Sequence, residues 1–187
     1  LDRTLLVVAA DEDRAEQWRD DLQAIAGEEV VHYFPAWDAE LYDKRSPDIE
    51  ITGLRIEAAA RLQHGETTII IAPAAALLSP LIPPHALELS TLHLKVGTEY
   101  PPDDIVSHLT DCGFERVPAV DGLGQLSMRG GILDVFPLAS PWPVRFEFFG
   151  DEIESLRTFD PQTQIYREKI DRATISPGGE LGILKQQ

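Results

Sequence analysis

Residues 129–159 read RGGILDVFPLASPWPVRFEFFGDEIESLRTF, and this stretch decides the fold of the second half of the chain. Ile132, Leu133, Val135 and Phe136 make an apolar run that stops at Pro137. Val144, Phe146 and Phe148 then alternate with Arg145, Glu147 and Phe149, the period of two of a strand whose faces differ. Gly150-Asp151 is a turn signal, after which Ile153, Leu156 and Phe159 resume the apolar pattern. Short strands joined by tight turns predict an antiparallel meander with one face in a core and the other open. The open face is expected to carry Arg129, Arg145 and Phe149.

Upstream, Leu92, Leu94 and Val96 alternate with His93 and Lys95, so an antiparallel-type strand is expected within Leu87 to Val96. Tyr100 to Gly113 has helical spacing, with Ile105, Leu109 and Cys112 on one face. Pro101-Pro102 suits its first turn and Gly113 its end. Phe114 to Val120 and Leu123 to Met128 lead into the meander. Downstream, Asp160-Pro161 is a turn, and Ile165 to Ile175 reads as a strand pair returning toward the first domain. The tail, Leu181 to Gln187, is expected to fray.

The first eighty residues follow a different pattern. Thr4 to Ala10 is a continuous apolar run, the signature of a parallel strand buried on both faces. Asp11 to Ala26 carries Ala15, Trp18, Leu22 and Ile25 on one helical face, with Asp11 as N-cap and Gly27 as stop. Val30 to Phe34 and Thr67 to Ala72 are further strands, separated by a loop, Pro35 to Asp48, and a helix, Ile51 to Gln63. On that helix Arg55 and Arg61 read as a solvated face. Alternation of strand and helix gives a parallel sheet. Ala74 to Leu78 is a short helical piece ended by prolines, and the boundary falls in the linker Pro80 to Pro84. The expected fold is α/β: a partial doubly wound parallel sheet, helicase-like but without a phosphate loop, with an inserted α+β domain built on an antiparallel sheet. The divisions are 1–82, 83–165, and 166–187 as a return segment.

Composition narrows the function. With 43% hydrophobic and 26% charged residues the chain is a globular one, and no apolar run approaches the about 20 residues of a membrane span. Leu1 is not an initiator, so a piece of a longer protein is expected. The net charge of -16 suits a protein partner better than direct grip on nucleic acid, which needs Lys and Arg at phosphates. The single cysteine, Cys112, fits a reducing cytoplasm and reads as a small core residue.

No chemistry of catalysis or cofactor binding is legible. None of Lys44, Lys95, Lys169 or Lys185 follows a glycine, so no triphosphate loop is spelled out. Gly130-Gly131 lies between strands and reads as a turn or bulge. His32, His64, His85, His93 and His108 are scattered without zinc-ligand spacing. Glu147, Asp151, Glu152 and Glu154 alternate along a strand and turn, a solvated edge rather than a paired acid site. Ser127 and Ser155 have no adjacent histidine for a triad. No catalytic, cofactor or metal residue is therefore assigned.

The spellings RGGILDVFP and VRFEFFGDEIESLRTFDP carry a resemblance. They are similar to the domain-2 sheet of nucleotide-excision-repair proteins, shared by the excinuclease component UvrB and the N-terminal UvrB-homology module (domains 1a, 2 and 1b) of bacterial transcription-repair coupling factors (Mfd). The loop FPAWDAELYDKRSPD resembles the coupling-factor version and lacks the tyrosine cluster of the UvrB damage clamp. The resemblance implies that this surface binds the excinuclease component UvrA, and by motif position Arg129, Arg145 and Phe149 are the contact residues. Read from the residues alone, the same arginines are more readily solvated sheet residues, and Phe149 core, as half-exposed sheets normally carry such residues. The resemblance implies a non-catalytic module without cofactor, in a parent whose other domains use ATP and magnesium, move on DNA and act on RNA polymerase. The alternative is a fragment of UvrB itself, an ATP-dependent enzyme of damage verification.

Overall fold

The computed structural model describes residues 3–37 and 48–179; most of the loop and the tail read above lie outside them. The chain divides into two compact units, one ending at Pro84 and the other starting at His85. No helix among the described residues is long and apolar enough to cross a membrane.

The first unit runs β1 (Leu5–Ala9), α1 (Glu12–Ala26), β2 (Val31–Tyr33), α2 (Ile49–Gln63), β3 (Ile69–Pro73) and a short 3-10 helix (Ala74–Leu78). The strands are parallel in the order β1-β3-β2. Central β3 is buried throughout, and its alternate residues serve two cores. Ile69 and Ile71 pack with Ala15 and Trp18 of α1, whereas Ile70 and Ala72 pack with Phe34 and with Ala58 of α2. Each face of the sheet thus carries a helix. Asp11 caps α1 by accepting from the Arg14 N–H at 2.9 Å, and Asp48 caps α2 by accepting from the Glu50 N–H at 2.7 Å.

Two expectations need correction here. Among the described residues β1 is an edge strand, and Leu6 and Val8 are exposed rather than buried on both faces. Arg55 is not solvated: it is fully buried. Its guanidinium lies 4.3 Å from the ring centres of both Phe34 and Trp37. Nη1 donates to the Pro35 carbonyl at 2.9 Å and Nη2 to the Pro80 carbonyl at 3.0 Å. One side chain thus ties α2 to the loop after β2 and to the proline linker. Arg55→Leu leaves those carbonyls without their donors, and a loss of about 3 kcal/mol in unfolding free energy is expected from urea denaturation.

The second unit runs α3 (Pro84–Ser90), β4 (Leu92–Lys95), α4 (Pro102–Asp111), β5 (Glu115–Arg116), β6 (Gln125–Arg129), β7 (Ile132–Val135), β8 (Val144–Phe149), β9 (Glu152–Phe159), β10 (Tyr166–Ile170) and β11 (Arg172–Ile175). A six-stranded sheet has the order β10-β9-β8-β7-β6-β5, antiparallel except where β5 meets β6. β11 and β4 form a separate antiparallel pair. Ile105, Val106 and Leu109 of α4 share one core with both sheets, including Leu94, Leu126, Leu133, Phe146, Leu156 and Ile175. Cys112 is buried, and burial pushes its thiol pKa up, away from thiolate.

The alternating pattern expected from Leu87 begins only at Leu92. Before it, Ala86, Leu87 and Ser90 are buried at helical spacing, and Pro84 fits a first turn, so α3 forms there instead. The segment expected to leave for the first domain also differs. β10 closes an edge of the six-stranded sheet and β11 pairs with β4, so residues 166–175 complete the second unit.

Candidate functional site

The open face of the meander follows from strand register. Met128, Leu133, Phe146 and Leu156 form a row across β6 to β9 that points into the core, with Leu126, Val135 and Val144 beside it. The intervening rows must therefore point outward. One row is Ser127, Asp134, Arg145, Arg157 and Lys169; its neighbour is Arg129, Ile132, Glu147 and Ser155. A bulge in β9 sets Glu147 opposite Ser155 and Phe148 opposite Ile153, leaving Glu154 unpaired. Phe148 thereby stays on the core and stacks with Phe146, while Phe149 is turned out, 79% exposed.

Two glycine turns hold this corner. Arg129 and Ile132 pair across the two-residue turn Gly130-Gly131, and Phe149 and Glu152 across Gly150-Asp151. Gly130 and Gly150 have φ of 59° and 63°, values side chains with a Cβ rarely adopt. Gly131 also lets β7 and β8 close up: a Cβ there would lie 2.9 Å from the Phe148 carbonyl oxygen.

The face is knitted by charge. Asp134 is 1% exposed and accepts from Arg145 at both oxygens, Nε–Oδ1 at 2.6 Å and Nη2–Oδ2 at 2.7 Å. This is the bidentate fork of an arginine–carboxylate pair. Arg129 Nη2 reaches the same Oδ2 at 3.2 Å from a side chain 54% exposed. Arg145 is only 11% exposed. Its Nη2 also donates to Gln164 Oε1 at 2.9 Å, and its guanidinium lies 4.5 Å from the Phe159 ring centre and 5.6 Å from that of Tyr166. Gln164 reaches it from a turn with φ 60°, left-handed for a residue with a Cβ. The Asp134 hydrogen bonds raise the Arg145 pKa further, so it is charged at every working pH.

Beside this pair Glu147 accepts from Ser155 Oγ and from Tyr166 Oη, the latter at 3.2 Å. The Ser155 hydrogen bond, with help from Tyr166 and Arg157, holds the Glu147 carboxyl below its ordinary 4.5. A carboxyl with a depressed folded-state pKa adds stability above its unfolded value, and that stability is lost as pH falls through the folded value. Urea denaturation across a pH series should show wild type losing stability below pH 4.5 more steeply than Glu147→Gln.

With this geometry in view, comparison with known proteins is specific. Residues 92–181 match the family model described as the UvrB interaction domain. The chain is 32% identical over 174 residues to the transcription-repair-coupling factor of Bacillus subtilis, covering 93% of this chain and 15% of the relative. It is 36% identical over 151 residues to that of Haemophilus influenzae, covering 81% and 13%, and 33% identical over 178 residues to that of Mycobacterium tuberculosis, covering 91% and 14%. The chain thus spans about a seventh of the length of these relatives.

The three residues singled out in the sequence share one face of the region that matches this family model, but not one environment. Phe149 is a bare ring and Arg129 a half-exposed cation. Arg145, expected on the open surface, is enclosed instead, because the buried Asp134 and the loop at Gln164 close around it. Sequence reading passed over Asp134, Glu147, Arg157 and Tyr166 as members of the site. The first three occupy same-face positions at a spacing of two from Ile132, Arg145 and Ser155, so the signal was present.

Proposed function

We propose that this chain is a non-catalytic protein-binding module of a transcription-repair coupling factor, recruiting the excinuclease component UvrA to stalled transcription complexes in nucleotide excision repair. The observation that carries the reading is Phe149, an aromatic side chain 79% exposed at the edge of an outward face of the UvrB interaction domain. Large rings left in water at the end of an ordered strand are the kind of group that anchors a partner. Arg129 supplies an accessible cation beside it. Arg145 contributes through what remains reachable of its guanidinium and by fixing the face. Docking is a task for the second unit alone. The first unit contributes a scaffold that binds no nucleotide, and ATP, magnesium, DNA and RNA polymerase belong to other parts of the parent protein, acting in the cytoplasm.

A fragment of UvrB is the weaker reading, since the relatives above are named as coupling factors. The test is calorimetric titration of the chain with purified UvrA, with ATP as a second titrant. Saturable binding of the protein and none of the nucleotide is expected; ATP binding alone would reverse the assignment.

A further inference from the structure

The outward row of the six-stranded sheet is unbalanced. Asp134, Arg145, Arg157 and Lys169 sit side by side on β7, β8, β9 and β10, one acid followed by three cations. Like charges directly opposite one another on paired strands repel. Asp134 is taken up by Arg145. Arg157 has no such partner. Its Nε is buried without a hydrogen bond, and Glu147 Oε2 stands 3.8 Å from its Nη2, beyond hydrogen-bond reach. The Tyr166 ring lies 4.8 Å from its guanidinium and holds the plane of the fork in place. The side chain is 37% exposed and only Nε is shut in, so the outer edge formed by Nη1 and Nη2 is open to a visitor.

An ordered arginine with unused donors, between two more cations, in a chain of net charge -16, is a feature that folding alone does not account for. We propose that Arg157 is a carboxylate-reading contact of the docking face: an Asp or Glu side chain of the bound protein enters between Arg157 and Lys169 and takes the Arg157 fork. This rests on the proposed docking function and adds to it the chemistry of the partner, an acidic segment laid across β9 and β10 while Phe149 is engaged at the far end of β8. A carboxylate fits better than a nucleic-acid phosphate chain, because Glu147 faces the same fork and is held ionised. A single acid can be placed beside it; a continuous polyanion would run over it.

The experiment is titration of UvrA into wild type, Arg157→Gln, Arg157→Lys and Phe149→Ala chains, with thermal unfolding of each. Arg157→Gln is expected to weaken binding at least about tenfold while the melting temperature changes little, since relief of repulsion from the two flanking cations offsets the lost Tyr166 and Glu147 contacts. A side chain with a merely structural role would lower it. Arg157→Lys should recover only part of the loss, because an ammonium keeps the charge without the fork. Affinity within about twofold of wild type for Arg157→Gln, alongside a clear loss for Phe149→Ala, overturns this inference and leaves the docking function standing. Full rescue by lysine also overturns it, as does short duplex DNA binding that depends on Arg157 when UvrA binding does not. No binding by wild type removes the docking function and this inference together.

Discussion

Asp134→Ala is expected to lower the unfolding free energy by about 3–5 kcal/mol, the cost of removing one partner of a buried ion pair. Asp134 is 1% exposed and takes both forks of Arg145, which is 11% exposed and charged at every pH in use. Without the carboxylate, a guanidinium remains under Phe159 and Tyr166 with Gln164 still accepting from it but no opposite charge paired with it in this way. Total stability of a domain is about 5–15 kcal/mol, so this one change removes a large share. Arg145→Ala carries a similar cost, because it leaves Asp134 buried with the single 3.2 Å contact from the half-exposed Arg129 in place of the bidentate fork. An alanine at 145 is therefore not a clean test of docking: it injures the sheet as well as the surface. The double variant, Asp134→Leu with Arg145→Leu, should recover much of the lost stability, since replacing both charges avoids an orphan. Urea denaturation of the four proteins measures the coupling, and additive single losses would contradict a buried pair.

Phe149→Ala should separate binding from folding in the opposite way. The ring is 79% exposed and outside the core, so its removal should change stability by no more than about 0.5 kcal/mol. Its effect on docking should be large. Truncating a central aromatic anchor costs about 2 kcal/mol or more, roughly thirtyfold in affinity. The pair Asp134 and Phe149 thus divides the face by physics: one side chain is worth most to the fold, the other most to the partner. Titration of UvrA together with thermal unfolding checks both halves. A large fall in melting temperature for Phe149→Ala would mean that the ring is packed after all.

Much of the meander was legible because it depends on local alternation. Val144, Phe146 and Phe148 announce the inward face of β8, and the same period leaves Phe149 outside. Turn chemistry at Gly130 and Gly150 was equally readable, since a positive φ there is a local demand. The parallel strands and both capped helices of the first unit came from the same kind of signal. What escaped were properties that depend on residues far apart in sequence. Arg145 is enclosed by Asp134, 11 positions before it, and Gln164, 19 positions after it. Arg55 is buried by carbonyls 20 and 25 positions away and by two aromatic rings. A charged residue counts as surface in any local reading; only the register of the sheet and the path of the loops bring its partners to it. β10 and β11 were found as strands, but their neighbours are chosen by sheet edges, which no periodicity announces.

If this face takes hold of another protein, Phe149 is the side chain that carries the grip. Calorimetric titration of UvrA into the wild-type chain and the Phe149→Ala chain decides it. Saturable binding that weakens about thirtyfold on loss of the ring, with the fold unchanged, is the predicted result. Equal affinity for the two chains, or no heat from either, would contradict it.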